Sequence, residues 1–285
     1  MKLFDTSTYK NLLLYLTLPH FIKIHFLTND DKVKIREINQ AWNLKVNAGS
    51  LSDSYDKRHG YLSSEGSGYP LIPLLEHRLN RAQSFGKVLE IGAGSGFVTV
   101  RLAEQSERWT ALELVPVLAE RIKKLALEQK LHQVRALEES IFHAEFPDSE
   151  FDTIFFFYTL HHMTDRDILL QKICRWLKPG GILYCLDPRH NLLRVMQLVR
   201  KYVTMYRHHK SDDLIATHDF LSVIELKTLL KKAGFGKAKV ESFDFPYVSK
   251  LTKRNRLNQF ALETKLNKIP IVEHLGRFVF AAAVK

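Results

Sequence analysis

A chain of 285 residues, 45% hydrophobic and 26% charged, is long enough for one α/β domain with a large core and added segments. Its two cysteines, Cys174 and Cys185, exclude a disulfide framework and show no metal-ligand spacing, so neither bridges nor a bound metal are expected. Most of the net charge of +11 lies from Asp187 onward, a basic tail that suits an anionic partner or a plainly solvated surface.

In chain order, the apolar stretch Leu12–Leu27 is broken by Pro19, His20, Lys23 and His25 and is too short and too polar to span a bilayer. It reads as helices packed on the body, with peripheral contact to lipid left open. Lys2 and Lys10 precede it, but Asp5 intrudes and no small-residue cleavage site follows, so a cytoplasmic location is expected. Residues 1–70 form a helical lid that ends in the Ser/Gly/Tyr-rich run Ser50–Tyr69, and residues 71–285 form the main domain. Leu71, Ile72, Leu74, Leu75 and Leu79 recur at helical spacing.

Strand and helix signals then alternate. Lys87–Ile91 is a short strand ending in glycines, Phe97–Glu104 a helix and Trp109–Glu113 a strand. Val117–Glu128 is a helix with Pro116 in its first turn, and Val134–Leu137 is a weak strand. Thr153–Tyr158 is an unbroken apolar run, as a strand buried on both faces requires. Asp165–Leu177 is a helix closed by Lys178-Pro179-Gly180-Gly181, and Ile182–Leu186 is the next strand. This order predicts a doubly wound, mainly parallel sheet with helices on both faces. Beyond Asp187 the rhythm breaks, with insertions expected at about residues 189–219, holding an amphipathic helix Leu192–Tyr206, and 244–276, with helix near Asn258–Leu266. Between them Phe220–Ala233 is helical, with Ser222 and Glu225 spaced as a capping box; Ala238–Phe243 and Arg277–Val284 supply the last strands.

The chemistry concentrates at Glu90-Ile91-Gly92-Ala93-Gly94-Ser95-Gly96, where a buried strand runs into a glycine loop that opens a helix. Such a loop lets backbone approach a ligand closely, and alone it suits dinucleotides equally well. The spacing here is Gly92-x-Gly94-x-Gly96, with Glu90 beside it. A carboxylate repels a pyrophosphate and favours a cationic amino-acid group, which points to S-adenosylmethionine rather than NAD.

Glu90–Gly96 resembles the first motif of class I (Rossmann-like) methyltransferases. Glu113, ending the second strand, matches the acid that holds both ribose hydroxyls in that family. Phe146–Asp152 and Leu177–Gly181 resemble its turns before strands four and five. The resemblance runs in order from Lys87 to Asp187 and implies a seven-stranded sheet, S-adenosylmethionine as cofactor and methyl transfer as the reaction. It places Glu90, Gly92, Ala93, Gly94, Gly96, Glu113, Leu114, Glu139, Ser140 and Tyr158 at the cofactor. The adenine-side acid is read as Glu139, with Glu138 one register away and a solvated charge pair as the plain alternative.

His161 and His162 follow strand four at the carboxyl edge, where ligands bind in such sheets. Either serves as a general base for a hydroxyl acceptor, or packs beneath the cofactor. His190, in Asp187-Pro188-Arg189-His190-Asn191, is a further base, and Asp187 orients a substrate group or simply makes a turn. Tyr55, His59 and Tyr61 lie in the lid. Where amino-methylating enzymes of nucleobases carry [DNS]-P-P-[YF], this chain reads Tyr158-Thr159-Leu160-His161, and neither cysteine sits in a Pro-Cys context, so nucleic acid is not the expected acceptor. A small-molecule or lipid-like acceptor is expected, capped by Phe245, Pro246, Tyr247, Phe260, Ile269, Pro270 and Ile271. A cofactor-binding scaffold without catalysis is the alternative, and the oligomeric state is left open.

Overall fold

The computed structural model describes residues 17–48, 79, 84–190, 195–196, 199–200, 219–245, 248–252, 256–270, 272 and 275–285. Two helices come first, α1 (His20–Lys23) and α2 (Asn29–Ala48). There follow β1 (Lys87–Ile91), α3 (Thr99–Leu102), β2 (Arg108–Glu113), α4 (Pro116–Glu128), β3 (Val134–Glu138) and β4 (Phe151–Phe157). The chain continues through α5 (Arg166–Trp176), β5 (Leu177–Pro188), α6 (Val223–Lys232), β6 (Lys237–Phe243), α7 (Val248–Leu251), α8 (Arg256–Leu266) and β7 (Phe278–Val284). The strands form one seven-stranded sheet in the order β3-β2-β1-β4-β5-β7-β6. All pairs are parallel except those of β7, which runs antiparallel to both β5 and β6.

Strand alternation divides the core between two faces. Leu89, Ile91, Ile154 and Phe156 join one buried cluster with Leu169, Leu170 and Ile173 of α5 and Leu226 and Leu230 of α6. Val88, Phe155 and Phe157 join the other with Leu102, Ile122 and Ala126 from α3 and α4 and with Phe260 of α8. Both faces of β1 and β4 are therefore covered, which is why apolar residues dominate both strands. The direction of strand addition reverses between β1 and β4, and that switch point opens a crevice at the carboxyl edge.

Several local expectations shift. The helix after the glycine loop is only α3, continued by a 3-10 turn Ala103–Gln105; the β-branched run Val98-Thr99-Val100 is a poor helix former. The Lys178–Gly181 turn is absorbed into β5, where the register slips between Phe151 and Thr153 and Gly180 takes φ +79°. Gly180 N–H donates to the Lys285 carbonyl at 3.1 Å and Lys285 N–H to the Gly181 carbonyl at 3.0 Å, extending the ladder along β7. The capping box of α6 is present, with Ser222 Oγ accepting the Glu225 N–H at 3.1 Å. Phe245 and Phe260 are core residues, 4% and 1% exposed, and Ile269 is exposed. The described part of residues 244–276 thus packs beside the sheet instead of capping an acceptor site. Ser50–Tyr69 with Tyr55, His59 and Tyr61, Leu71–Leu75, Pro246, Tyr247, Ile271 and most of Leu192–Tyr206 fall outside the described residues. Among the described residues no helix is long and apolar enough to cross a membrane.

Candidate active site

β1 delivers the chain into a loop in which Gly92, Gly94 and Gly96 all have positive φ, at 67°, 58° and 79°. A side chain at Gly92 would place its Cβ 2.5 Å from Thr159 Oγ1, so the loop is pressed against the exit of β4. Glu113, at the end of β2, ties the loop down. Its Oε2 accepts the Gly94 N–H at 2.7 Å and its Oε1 the Val115 N–H at 2.9 Å. Burial raises its pKa above the ordinary carboxyl value, and those N–H groups pull it back down. Ser95 Oγ, in the same loop, is buried and has no hydrogen-bond partner among the described residues.

Glu90 is 4% exposed. Its Oε2 accepts from Thr99 Oγ1 at 2.5 Å and from Trp109 Nε1 at 2.9 Å. Burial pushes its pKa up to about 7; the Thr99 and Trp109 hydrogen bonds oppose the rise, and the nearby Glu113 charge adds to it. A carboxyl held this close to neutrality ionises readily when a cation arrives beside it.

These groups line a cavity of about 350 Å³. Glu90–Ser95 form its floor with Glu113 and Leu114, and Glu139, Ser140, Ile141 and Phe142 form one wall. Tyr158, Thr159, His161, His162 and Met163 form the opposite wall. Glu139 lines the cavity, and Glu138 is not among its lining residues. Gly96 shapes the loop without lining it: a Cβ there would sit 2.9 Å from Ile122 Cγ1 of α4. Tyr158 adopts φ +52°, a left-handed conformation held by its N–H on the Leu186 carbonyl at 2.7 Å and by edge contact with Phe278.

The roof is α2. Arg36, Asn39, Gln40 and Asn43 recur at helical spacing and face the cavity beside Trp42. Asn39 is 5% exposed, and its Oδ1 has no hydrogen-bond partner among the described residues. The Arg36 guanidinium pairs with Asp165 and lies 5.0 Å from the Phe142 ring centre. Trp42 stacks on His162 at 6.0 Å between ring centres. This polar row reads as a solvated helix face in the sequence, and only its periodicity hints at a shared role.

At the β4–β5 edge, His161 Nδ1 lies within hydrogen-bond distance of Asp187 Oδ1, at 2.5 Å. Asp187 also accepts the Leu160 N–H at 3.0 Å and the His161 N–H at 3.3 Å, and it is fully buried. Burial pushes the Asp187 pKa up to about 7, against the opposing charges of Arg166 and His162 and the two backbone N–H groups. Fixing Nδ1 leaves Nε2 as the nitrogen able to take a proton. His161 and His162 lie side by side with ring centres 4.0 Å apart. Asp187 therefore serves a protein histidine, a pairing that its strand-end position alone does not reveal. The third predicted base, His190, does not line the cavity. Its Nε2 donates to the Thr17 carbonyl at 3.0 Å, and burial lowers its pKa. It anchors the segment that leads into the roof.

A family profile described as a methyltransferase domain matches residues 89–185, from within β1 to within β5. The chain is 28% identical over 218 residues to a ubiquinone biosynthesis O-methyltransferase of Xylella fastidiosa strain M23, covering 71% of this chain and 85% of that protein. It is 25% identical over 199 residues to a demethylmenaquinone methyltransferase of Lactiplantibacillus plantarum, covering 61% of this chain and 84% of that protein. Among solved structures, phosphoethanolamine N-methyltransferase 2 of Haemonchus contortus, in complex with S-adenosyl-L-methionine, has a TM-score of 0.62 at 19% identity, over 87% of this chain and 60% of that one. This last likeness is one of fold. With the domain match laid over this strand order and this glycine–glutamate loop, the chain carries an S-adenosylmethionine-dependent methyltransferase domain of the class I, Rossmann-like fold.

Proposed function

We propose that the enzyme methylates a hydroxyl oxygen on a small aromatic acceptor of the quinol type, with His161 as general base and Asp187 as the group that orients it. The observation that carries this reading is the Asp187–His161 contact of 2.5 Å in the wall of the cavity. The O-methylating relative supports the acceptor class. So does the flat aromatic surface that Trp42 and His162 offer beside it.

The residues present fit the cofactor. Glu90 would meet its ammonium group, Glu113 at the end of β2 would take the ribose hydroxyls, and Glu139 would take the adenine amino group. Ser95 Oγ, buried without a hydrogen-bond partner among the described residues, is a further polar atom for that end of the cavity. When bound, the cofactor would supply an electrophilic methyl group on a sulfonium, with the thioether as its leaving group. His161 Nε2 takes the acceptor's hydroxyl proton as the new C–O bond forms, and Asp187 holds the ring in the required tautomer and stabilises its positive charge. α2 roofs the reacting groups, excludes water and limits the acceptor's orientations.

The test is methyl transfer to a panel of hydroquinones and other phenols by wild type, His161→Gln and Asp187→Asn, beside calorimetric titration with S-adenosylmethionine. His161→Gln should lose about 10²- to 10⁴-fold in kcat, with cofactor affinity preserved. Unchanged kcat in that variant, or a product methylated on carbon, would refute the reading. A wild type that binds the cofactor but methylates none of the panel would return the scaffold alternative.

A further inference from the structure

Behind the proposed base lies a buried group of four charges that the reaction itself does not use. Lys23, Arg166, Asp219 and Glu225 are 1%, 1%, 2% and 3% exposed. Lys23 Nζ lies 2.5 Å from Asp219 Oδ1, and Arg166 Nη2 lies 3.3 Å from Asp219 Oδ2. Arg166 Nη1 donates to Glu225 Oε1 at 3.1 Å, and Nη2 also donates to the Asp219 backbone carbonyl. Two cations and two anions balance, which is the condition under which such groups tolerate removal from water.

Each member comes from a different part of the chain: Lys23 from α1, Arg166 from the start of α5, Asp219 from just before α6, and Glu225 from α6 itself. Arg166 has one further bond. Its Nε donates to the Leu160 carbonyl at 3.1 Å, while the Leu160 N–H is held by Asp187 Oδ2 at 3.0 Å. The residue just before His161 is thus gripped on one side by the acid that orients the base and on the other by the buried cluster. The N-terminal segment also touches this neighbourhood through Thr17 on His190, Arg36 on Asp165 and Trp42 on His162. Lys23 is the only one of these ties whose partner is itself bonded to the arginine behind His161.

We propose that Lys23 is a positioning residue: by closing the buried cluster it makes the setting of the Leu160–His161 turn depend on the docking of the N-terminal segment that carries the roof. The assignment rests on His161 being the base. Seating α1 completes the charge balance around Asp219, which leaves Arg166 free to divide its guanidinium between Asp219, Glu225 and the Leu160 carbonyl. With the Lys23–Asp219 tie cut, α1 and the roof that follows it are no longer held to the cluster that sets the Leu160–His161 turn, whether or not the cluster's charges balance. The roof and the base are then assembled together, so the site is complete only when it is also covered.

The test uses the full chain with Lys23→Met and the charge-balanced double variant Lys23→Met/Asp219→Asn, which keeps the Asp219 backbone carbonyl for Arg166. Thermal midpoint, S-adenosylmethionine affinity, acceptor KM and kcat are measured for each, beside His161→Gln. Lys23→Met should lower both thermal midpoint and kcat. The double variant should regain most of the midpoint but keep a kcat roughly 10- to 100-fold below wild type, with cofactor affinity within about threefold. Recovery of kcat along with the midpoint would mean that Lys23 only balances charge, and would overturn the proposal. Wild-type kcat in a folded Lys23→Met, or failure of the double variant to fold, would overturn it as well. If His161→Gln retains full kcat, the base assignment itself fails, a result distinct from any given by the Lys23 variants.

Discussion

Replacing Glu90 by glutamine removes a carboxyl that burial holds at about 7, against an ordinary value of 4.5. That displacement corresponds to about 3 kcal/mol of preference for the neutral form. In the free protein the sign is fixed: a carboxyl whose pKa is raised by folding contributes stability that is fully present below its unfolded value. The contribution is lost as pH rises toward 7. Binding a ligand with an ammonium group reverses the preference, because only the ionised carboxylate pairs with the cation. At pH 6 about nine-tenths of Glu90 carries a proton in the free protein, and cofactor binding must expel it. Affinity should therefore fall about tenfold per unit below pH 7 and level off above it. Titration calorimetry between pH 5.5 and 7.5, in two buffers of different ionisation enthalpy, measures both the affinity and the proton released. The window stays below about 7.7, where the ligand's own amino group begins to titrate. Release should approach one proton at pH 6 in wild type and vanish in Glu90→Gln, whose affinity should be lower at pH 7.5 and nearly flat across the window. Equal proton release in the two proteins, or a flat wild-type profile, would refute the assignment of Glu90 to the ammonium group.

Gly92→Ala forces a Cβ to within 2.5 Å of Thr159 Oγ1 at a φ of +67°, and should cost about 1–3 kcal/mol and most of the cofactor affinity. Gly180→Ala, equally left-handed at +79° but with nothing within 4 Å, should lower the thermal midpoint without touching affinity; calorimetry and thermal melts read both. Asn39→Leu removes a buried carboxamide whose Oδ1 has no hydrogen-bond partner among the described residues, and should raise the acceptor KM about 3- to 10-fold while the cofactor affinity is unchanged, as initial-rate kinetics and calorimetry would show.

The parts of the fold legible in the sequence are those whose cause is local. The run Ile154–Phe157 announces a strand buried on both faces because its apolar residues point alternately into both clusters. Glycines at 92, 94 and 96 announce a loop because only glycine takes those φ values at low cost. The capping box at Ser222 and Glu225 is likewise a matter of three residues' spacing. What stays hidden depends on parts of the chain far apart. Asp187 and His161 are separated by 26 residues, and nothing in Asp-Pro distinguishes an orienting acid from a turn. Arg36, Asn39, Gln40 and Asn43 look like any solvated helix face until α2 is laid across the crevice. His190 appears equivalent to its neighbours because its partner, the Thr17 carbonyl, is a backbone atom 173 residues away. The apolar residues of the 244–276 stretch look like a lid in sequence, yet Phe245 and Phe260 are part of the core, since a helix packed beside the sheet and a cap over it carry the same composition.

The position of β7 has a consequence for how the enzyme comes into being. It pairs with β5 on one side and β6 on the other, with Asp187 opposite Val279 and Pro188 opposite Phe278. During synthesis β5 and β6 both emerge before the strand that joins them. Until β7 inserts, one edge of β5 is an unpaired apolar ladder, the kind of surface on which chains associate with one another. Insertion between two strands already made is also a contact of long sequence separation, which slows folding. The half of the sheet that bears the base is thus finished by its latest strand, so a stalled or shortened chain presents a sticky edge in place of a partial catalyst.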